Sequence, residues 1–265
     1  MIADAARWKA RVRDGLPARW RVPAKYWHAR LRRRLEPEMA LLPALVRRDE
    51  RAIDIGANYG LYARSLARLG ARVELFEPHP RCLGALEAWA RERPSVRVHS
   101  CALSCEQGCA SLAVPLGGHG VEHDAAASLE PLDGQACRRM PVAVRTLDSF
   151  AFSDVGFIKV DVEGHEAPVI EGARATIARL RPALLVEIEQ RHCAHPIDDT
   201  FARILALDYA GYFLLDGALA ELARFRVAEH QAAAPGGPRS GYHNNFLFLA
   251  RERLAAGEYR ALVGA

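Results

Sequence analysis

No stretch of this 265-residue chain approaches the roughly 20 consecutive apolar residues needed to cross a bilayer as a helix. Its N-terminus, MIADAARWKARVRD, holds no apolar core of a secretory signal, so a cytoplasmic location is expected, with peripheral membrane contact left open. Cysteine is sparse: six residues, none in the C-x-x-C pairing of a zinc site. Cys101, Cys105 and Cys109 are spaced four apart, which is no ferredoxin spacing either. They read as small apolar residues in a reducing compartment, and no metal is expected. There is no internal repeat, and no linker that would separate a pair of enzymatic domains.

Acidic residues are nearly missing from the start. Residues 1–35 carry eleven Lys/Arg against Asp4 and Asp14, a charge of +9; the whole chain's +4 therefore leaves −5 for the other 230 residues. Trp8, Trp20 and Trp27 lie in the same stretch. Basic residues mixed with aromatics suit nucleic acid, an anionic membrane surface or a phosphorylated substrate. The reading adopted is plainer: residues 1–37 form a basic helical extension that docks its tryptophans on the core and leaves its arginines in water. Residues 38–265 form the main domain.

From residue 38 short apolar runs alternate with helical stretches, which predicts an α/β fold with a mostly parallel sheet. Strands are expected at Arg51–Gly56, Arg72–Phe76, Val96–Leu103, Gly156–Val162, Ala183–Ile188, Tyr212–Leu215 and Asn245–Ala250. Helices are expected at Leu61–Leu69, Cys82–Arg93, Ala167–Leu180 and Thr200–Ala210. Between Gly108 and about Val142 the rhythm is lost, so a loop with one or two short strands is expected there, covering a site. His119, His123 and Asp124 fall in it, too weak a pattern for a metal.

The chemistry sits at strand ends. Asp54-Ile55-Gly56-Ala57-Asn58-Tyr59-Gly60 turns from the first strand into a helix. A dinucleotide fold wants G-x-G-x-x-G at that point to admit a pyrophosphate. Asn58 stands where its second glycine would be, which speaks against an NAD-dependent oxidoreductase. The acidic D-x-G-x-x-x-G form suits a ligand with an ammonium and no phosphate. Glu77 ends the second strand, where a carboxylate can accept both ribose hydroxyls. Asp161, Glu163, His165 and Glu166 crowd the end of a third strand. Four ionisable groups so close to a cleft point to use, although Glu166 also suits a helix N-terminus.

DIGANYG, FEPHP, RTLDSF, IKVDVEGHEAPVIEGA, LLVEIE and NNFLFL together resemble the FkbM family of S-adenosylmethionine-dependent methyltransferases over about residues 50–250. The resemblance implies a Rossmann-like class I fold of seven strands, the last antiparallel. It also implies transfer of a methyl group from S-adenosylmethionine, leaving S-adenosylhomocysteine, to a hydroxyl of a sugar, glycan or polyketide-type natural product. Asp54, Gly56, Ala57, Asn58 and Gly60 would line the methionine part of the cofactor together with Asp161. Glu77 would take the ribose, and Ala102, Leu103 and Ser104 the adenine. The basic arm lies outside the resemblance.

An aliphatic hydroxyl must lose its proton as it attacks, which calls for a positioned base. His165 is the first choice, its ordinary pKa of about 6.5 suiting neutral pH; Asp161, Glu163 and Glu189 are rivals, and His192 lies in reach. A methyltransferase of RNA or protein that uses the basic arm is one alternative, ranked lower because no RNA module is visible. A non-catalytic cofactor-binding partner subunit is another. The acceptor's identity and the oligomeric state are not legible.

Overall fold

The computed structural model describes residues 15–117, 122–131, 136–232 and 241–263, with Gly120 and Gly134. Trp8 and His119 lie outside them. Eight strands form the main sheet: β1 (Arg51–Ile55), β2 (Arg72–Phe76), β3 (Val96–His99), β7 (Val155–Val160), β8 (Ala183–Glu187), β9 (Tyr209–Leu215), β10 (Ala218–Glu221) and β11 (Asn245–Ala250). A smaller sheet holds β4 (Ala102–Leu103), β5 (Gly108–Pro115) and β6 (Cys137–Arg145). The large sheet runs in the order β10-β9-β11-β8-β7-β1-β2-β3, and the small one β4-β6-β5. Strands β3, β2, β1, β7 and β8 pair in parallel, and β11 enters antiparallel against β8. This is the expected Rossmann-like arrangement with its reversed last strand.

The expected seven strands become eight. β9 turns back into β10 through Asp216 and Gly217, both at positive φ, with Leu215 paired to Ala218. A two-residue Asp-Gly loop is the favoured hairpin turn because its twist matches that of the strands.

Three further expectations are corrected. The third strand is broken: it leaves the large sheet after His99, and Ala102–Leu103 pairs with β6 instead. Part of the segment expected to be loop is a long antiparallel pair, β5 against β6, in register from Gly108↔Val144 to Pro115↔Cys137. Its inward residues Leu112, Val114, Val142 and Val144 make a core of their own. The helix expected over 167–180 is two, α4 (Glu166–Gly172) and α5 (Arg174–Leu180), separated at Ala173. Gly172 lets α4 lie on β4, since a Cβ there would stand 1.9 Å from the Ser104 carbonyl oxygen.

Alternate strand residues build one core on each face. Ile53, Ile158, Val186 and Phe246 lie in one, and Ala52, Phe157, Leu185 and Leu247 in the other. Helices α1 (Ala18–Leu31), α2 (Leu61–Arg68) and α3 (Pro80–Ala90) pack together beside the second core, with Val22 among its residues. Within α1, Val22 and Tyr26, four apart on one face, are buried, whereas Trp20 and Trp27 are 54% and 45% exposed. These tryptophans, expected to dock on the core, are therefore only partly covered, with Arg64 of α2 over the Trp27 ring at 5.8 Å. None of the helices in the described residues is long and apolar enough to cross a membrane.

Candidate active site

β1 and β7 are neighbours whose chain connections leave in opposite directions, and ligands of open α/β sheets bind at such a switch point, beyond the carboxyl ends of the strands. Ile55 accepts a hydrogen bond from the Asp161 amide at 2.9 Å, so the glycine turn after β1 meets the acidic turn after β7. Gly56 has φ +78°, and a Cβ there would come within 1.8 Å of the Asp161 carbonyl oxygen. No other residue permits this contact without moving one turn off the other.

A cleft of about 600 Å³ opens at this junction. Its apolar lining includes Ile55, Phe76, Ala102, Leu103, Leu112 and Leu129, and its polar lining Asn58, Glu77, Asp161, Glu163 and His165. The Glu77 carboxylate is fixed by two backbone donors, Asn58 N–H on one oxygen and His79 N–H on the other, each at 2.7 Å. Each oxygen keeps a lone pair for a further donor. Burial pushes this carboxyl up to about 7 despite those bonds.

Residues 122–130 arch over the cleft and are held at several points. The Tyr59 hydroxyl donates to Asp124 at 2.7 Å, and Arg81 pairs with Glu122 and Asp124 at 3.2 and 3.3 Å. The Ser128 hydroxyl donates to the Glu163 carbonyl at 2.7 Å, and Glu130 meets His165 Nδ1 at 2.6 Å. His79, Glu122 and Asp124 bring possible ligand atoms together here. His79 Nδ1, however, already accepts the Arg81 amide, which leaves the proton on Nε2. Arg81 adds a positive charge to the same cluster.

A second chamber of about 810 Å³ shares Gly56, Asn58, Asp161 and Glu163 with the cleft. Glu36, Asp54, Glu187 and Glu189 add carboxylates to it, answered by Lys25 and Arg191. Beneath lies a buried polar row. Asp54 and Lys159 are register partners on β1 and β7; Lys159 pairs onward with Leu185 of β8, two residues before Glu187, which faces Asn245 of β11. The fully buried Lys159 ammonium donates to Asn245 Oδ1 at 3.2 Å and lies 3.7 Å from Glu187 and 3.9 Å from Asp161. Burial works against its charge, but Asp161, Glu187, Glu36 and Asp54 outweigh that and raise its pKa. Tyr62 donates to Glu36 at 2.6 Å, and Asn245 reaches the same carboxylate at 3.3 Å. Sequence reasoning missed Lys159, Lys25, Glu36, Tyr62, Glu187 and Asn245. Only Lys159 left a signal, as a lone charge inside an apolar central strand.

The residues expected at the site divide. Gly56, Asn58, Glu77, Ala102, Leu103, Asp161, Glu163 and His165 line the cleft; Asp54, Ala57 and Glu189 line the chamber. Gly60 instead closes the turn, packed under Leu86 and Val22. Ser104 lies behind the cleft, its hydroxyl 2.9 Å from His165 Nε2. Both His165 nitrogens are thus engaged. Glu163 meets His192 Nδ1 at 2.7 Å, and Glu189 is bound by Tyr242, Arg191 and Asn244. The Asp161 carboxylate, among the described residues, has Lys159 as an ion partner and accepts no side-chain hydrogen bond. Burial, with Glu163 adding repulsion, pushes it up to about 6 against the pull of Lys159.

The family profile described as the methyltransferase FkbM domain matches residues 54–214, well over half of the chain. The chain belongs to the FkbM methyltransferase family. Among solved structures, an FkbM methyltransferase from Methylobacillus flagellatus KT matches at 18% identity and TM-score 0.50, over 81% of this chain and 51% of that one. This chain thus spans about half the length of that protein, and the likeness bears on the fold alone. A TehB-like S-adenosylmethionine-dependent methyltransferase from Corynebacterium glutamicum matches at 11% identity and TM-score 0.43, over 86% of this chain and 99% of that one. A Streptococcus mutans protein in complex with S-adenosylhomocysteine matches at 9% and 0.45, over 80% and 94%. No curated protein matches.

The FkbM residues present fit the cofactor. Glu77 is pre-aimed with acceptor capacity to spare, as a ribose diol needs. Asp54 is 2% exposed and, among the described residues, its Oδ2 has no hydrogen-bond partner. Burying such an atom is costly unless a donor arrives; where cleft and chamber meet at Gly56 and Asn58, the cofactor's ammonium would supply one.

Proposed function

We propose that this FkbM protein methylates a hydroxyl oxygen of a neutral, polyhydroxylated acceptor, of the sugar, glycan or polyketide type, held in the second chamber. S-adenosylmethionine supplies an electrophilic methyl group when bound. One observation carries the reading: a chamber rich in carboxylates adjoins the cofactor cleft, and Asp161 faces both. Carboxylates accept hydrogen bonds from paired hydroxyls and repel anions. That favours a polyol over a phosphate-bearing acceptor such as RNA, and it makes methyl transfer to RNA the weaker alternative.

The geometry favours Asp161 as the base over His165. The His165 ring is held between Glu130 and Ser104, whereas, among the described residues, Asp161 has an oxygen unoccupied by any side-chain donor at the junction. With its carboxyl near 6, Asp161 is ionised at neutral pH yet basic enough to take a proton as the acceptor oxygen attacks. Lys159 would position that carboxylate from below and keep it ionised. His165 would position Glu130 and with it the arch over the cofactor. In a labelled-methyl assay over neutral sugars, lipid-linked glycans, phenols and RNA, the label should enter a neutral polyol as a base-stable ether. Label in RNA, in a base-labile ester or on nitrogen would contradict the reading.

A further inference from the structure

The first helix among the described residues, α1, carries a ridge of which the rest of the fold touches Trp27, through Arg64 at 5.8 Å from its ring centre, and which otherwise faces outward. Trp20, Trp27 and Leu31 are 54%, 45% and 80% exposed. They are seven and eleven residues apart, and at 100° per residue they fall within an arc of about 40°. The opposite face is the one that buries Val22 and Tyr26, so the fold holds the helix and turns the ridge outward. Nothing acidic stands between Gly15 and Leu35, and Arg19, Arg30, Arg32, Arg33 and Arg34 are exposed beside the ridge. Arg30 lies over the Trp27 ring, 5.8 Å from its centre.

We infer that α1 docks this methyltransferase on an anionic lipid bilayer, with Trp20, Trp27 and Leu31 in the headgroup–acyl boundary and the flanking arginines on lipid phosphates. A helix with tryptophan and leucine on one side and arginine beside them lies in the plane of such an interface. A single-stranded nucleic acid would stack on the tryptophans and gain nothing from Leu31. Charge sets the orientation as well: residues 1–35 carry +9 and the rest of the chain −5, so a negative surface attracts the arm and repels the body.

The helix also reaches the active site. Lys25, five residues from Trp20, lines the acceptor chamber and donates to Asn58 Oδ1 at 3.0 Å. A helix is about 10–12 Å across with its side chains, so docking would bring the chamber within about that distance of the bilayer surface. A lipid-borne hydroxylated acceptor would then be in reach; this last step alone rests on the proposed function.

Flotation of the full chain with vesicles of phosphatidylcholine alone, and of phosphatidylcholine with one quarter phosphatidylglycerol, tests the docking. Binding to the anionic vesicles should exceed binding to the neutral ones by at least about tenfold, and should fall in 0.5 M salt. The double variant Trp20→Ser, Trp27→Ser should lose at least about tenfold of it while binding S-adenosylhomocysteine unchanged by calorimetry, which shows that it folds. Brominated phosphatidylglycerol should quench the native chain's tryptophan fluorescence more than the variant's. No flotation, equal flotation of variant and native chain, or a ridge that instead drives dimerisation or RNA binding would overturn the inference. None of these readings depends on the acceptor, so the proposed function can fail while the docking stands.

Discussion

The Lys25 ammonium donates to the Asn58 side-chain oxygen at 3.0 Å, tying the basic arm to the glycine turn at the centre of the cofactor site. Asn58 sits at φ +48°, a left-handed conformation that asparagine tolerates better than most residues. Its amide donates to Glu77, and its side-chain oxygen also accepts from Tyr59 N–H. Lys25 therefore supports, through Asn58, the residue aimed at the ribose. Lys25→Met should weaken S-adenosylhomocysteine binding by about 1 kcal/mol, roughly fivefold in Kd. Calorimetry showing native affinity would make the arm irrelevant to the cofactor.

Glu77 gives a larger expected effect. Glu77→Ala removes the ribose acceptors and leaves the Asn58 and His79 amides without their partner. Affinity should fall by about 1.5–3 kcal/mol, with the melting temperature of the cofactor-free protein changing far less than that of the complex. Unchanged affinity by calorimetry would remove Glu77 from the site.

Buried carboxyls give the cofactor-free protein an unusual pH dependence. Burial raises Asp54, Glu77 and Glu166 to about 7. A carboxyl whose folded pKa exceeds its unfolded value of about 4 binds protons more tightly when folded. Stability is then full at low pH and declines as pH rises from about 4.5 to 7. Glu166 is 2% exposed and bonded to the Gly164 amide, so Glu166→Gln keeps an acceptor and removes the charge. At pH 8 the variant should be more stable by about 2 kcal/mol, and near pH 4.5 the gain should vanish. Denaturant melts at the two pH values measure it; equal offsets would contradict the burial argument.

Much of this was legible in the sequence, because chemistry at a strand end disturbs local patterns. The glycine turn at Gly56, the acid at Glu77 and the charges from Asp161 onward each interrupt an apolar run, and the structure gathers them at one sheet edge. The polar row under the chamber was not legible, since it joins Glu36, Tyr62, Lys159, Glu187 and Asn245 from elements far apart in the chain. The β5–β6 pair hid because Gly, Cys, Ala and Pro are weak strand formers, and its core comes from pairing rather than propensity. Two signals were present and went unread. Asp216-Gly217 marks the extra hairpin, and the seven-residue spacing of Trp20 and Trp27 puts them opposite Val22 and Tyr26.

The central claim is that Asp161, rather than His165, takes the proton of an acceptor hydroxyl. The pH dependence of kcat, measured with the true acceptor in the native enzyme, Asp161→Asn and His165→Gln, tests it most directly. In the native enzyme turnover should rise through a single pKa near 6, the value set by burial of Asp161, and level off above it. Asp161→Asn should bind S-adenosylhomocysteine yet lose about 10²–10⁴ in turnover together with that limb. His165→Gln should keep the limb at reduced rate. A limb that survives in Asp161→Asn and disappears in His165→Gln would contradict the account.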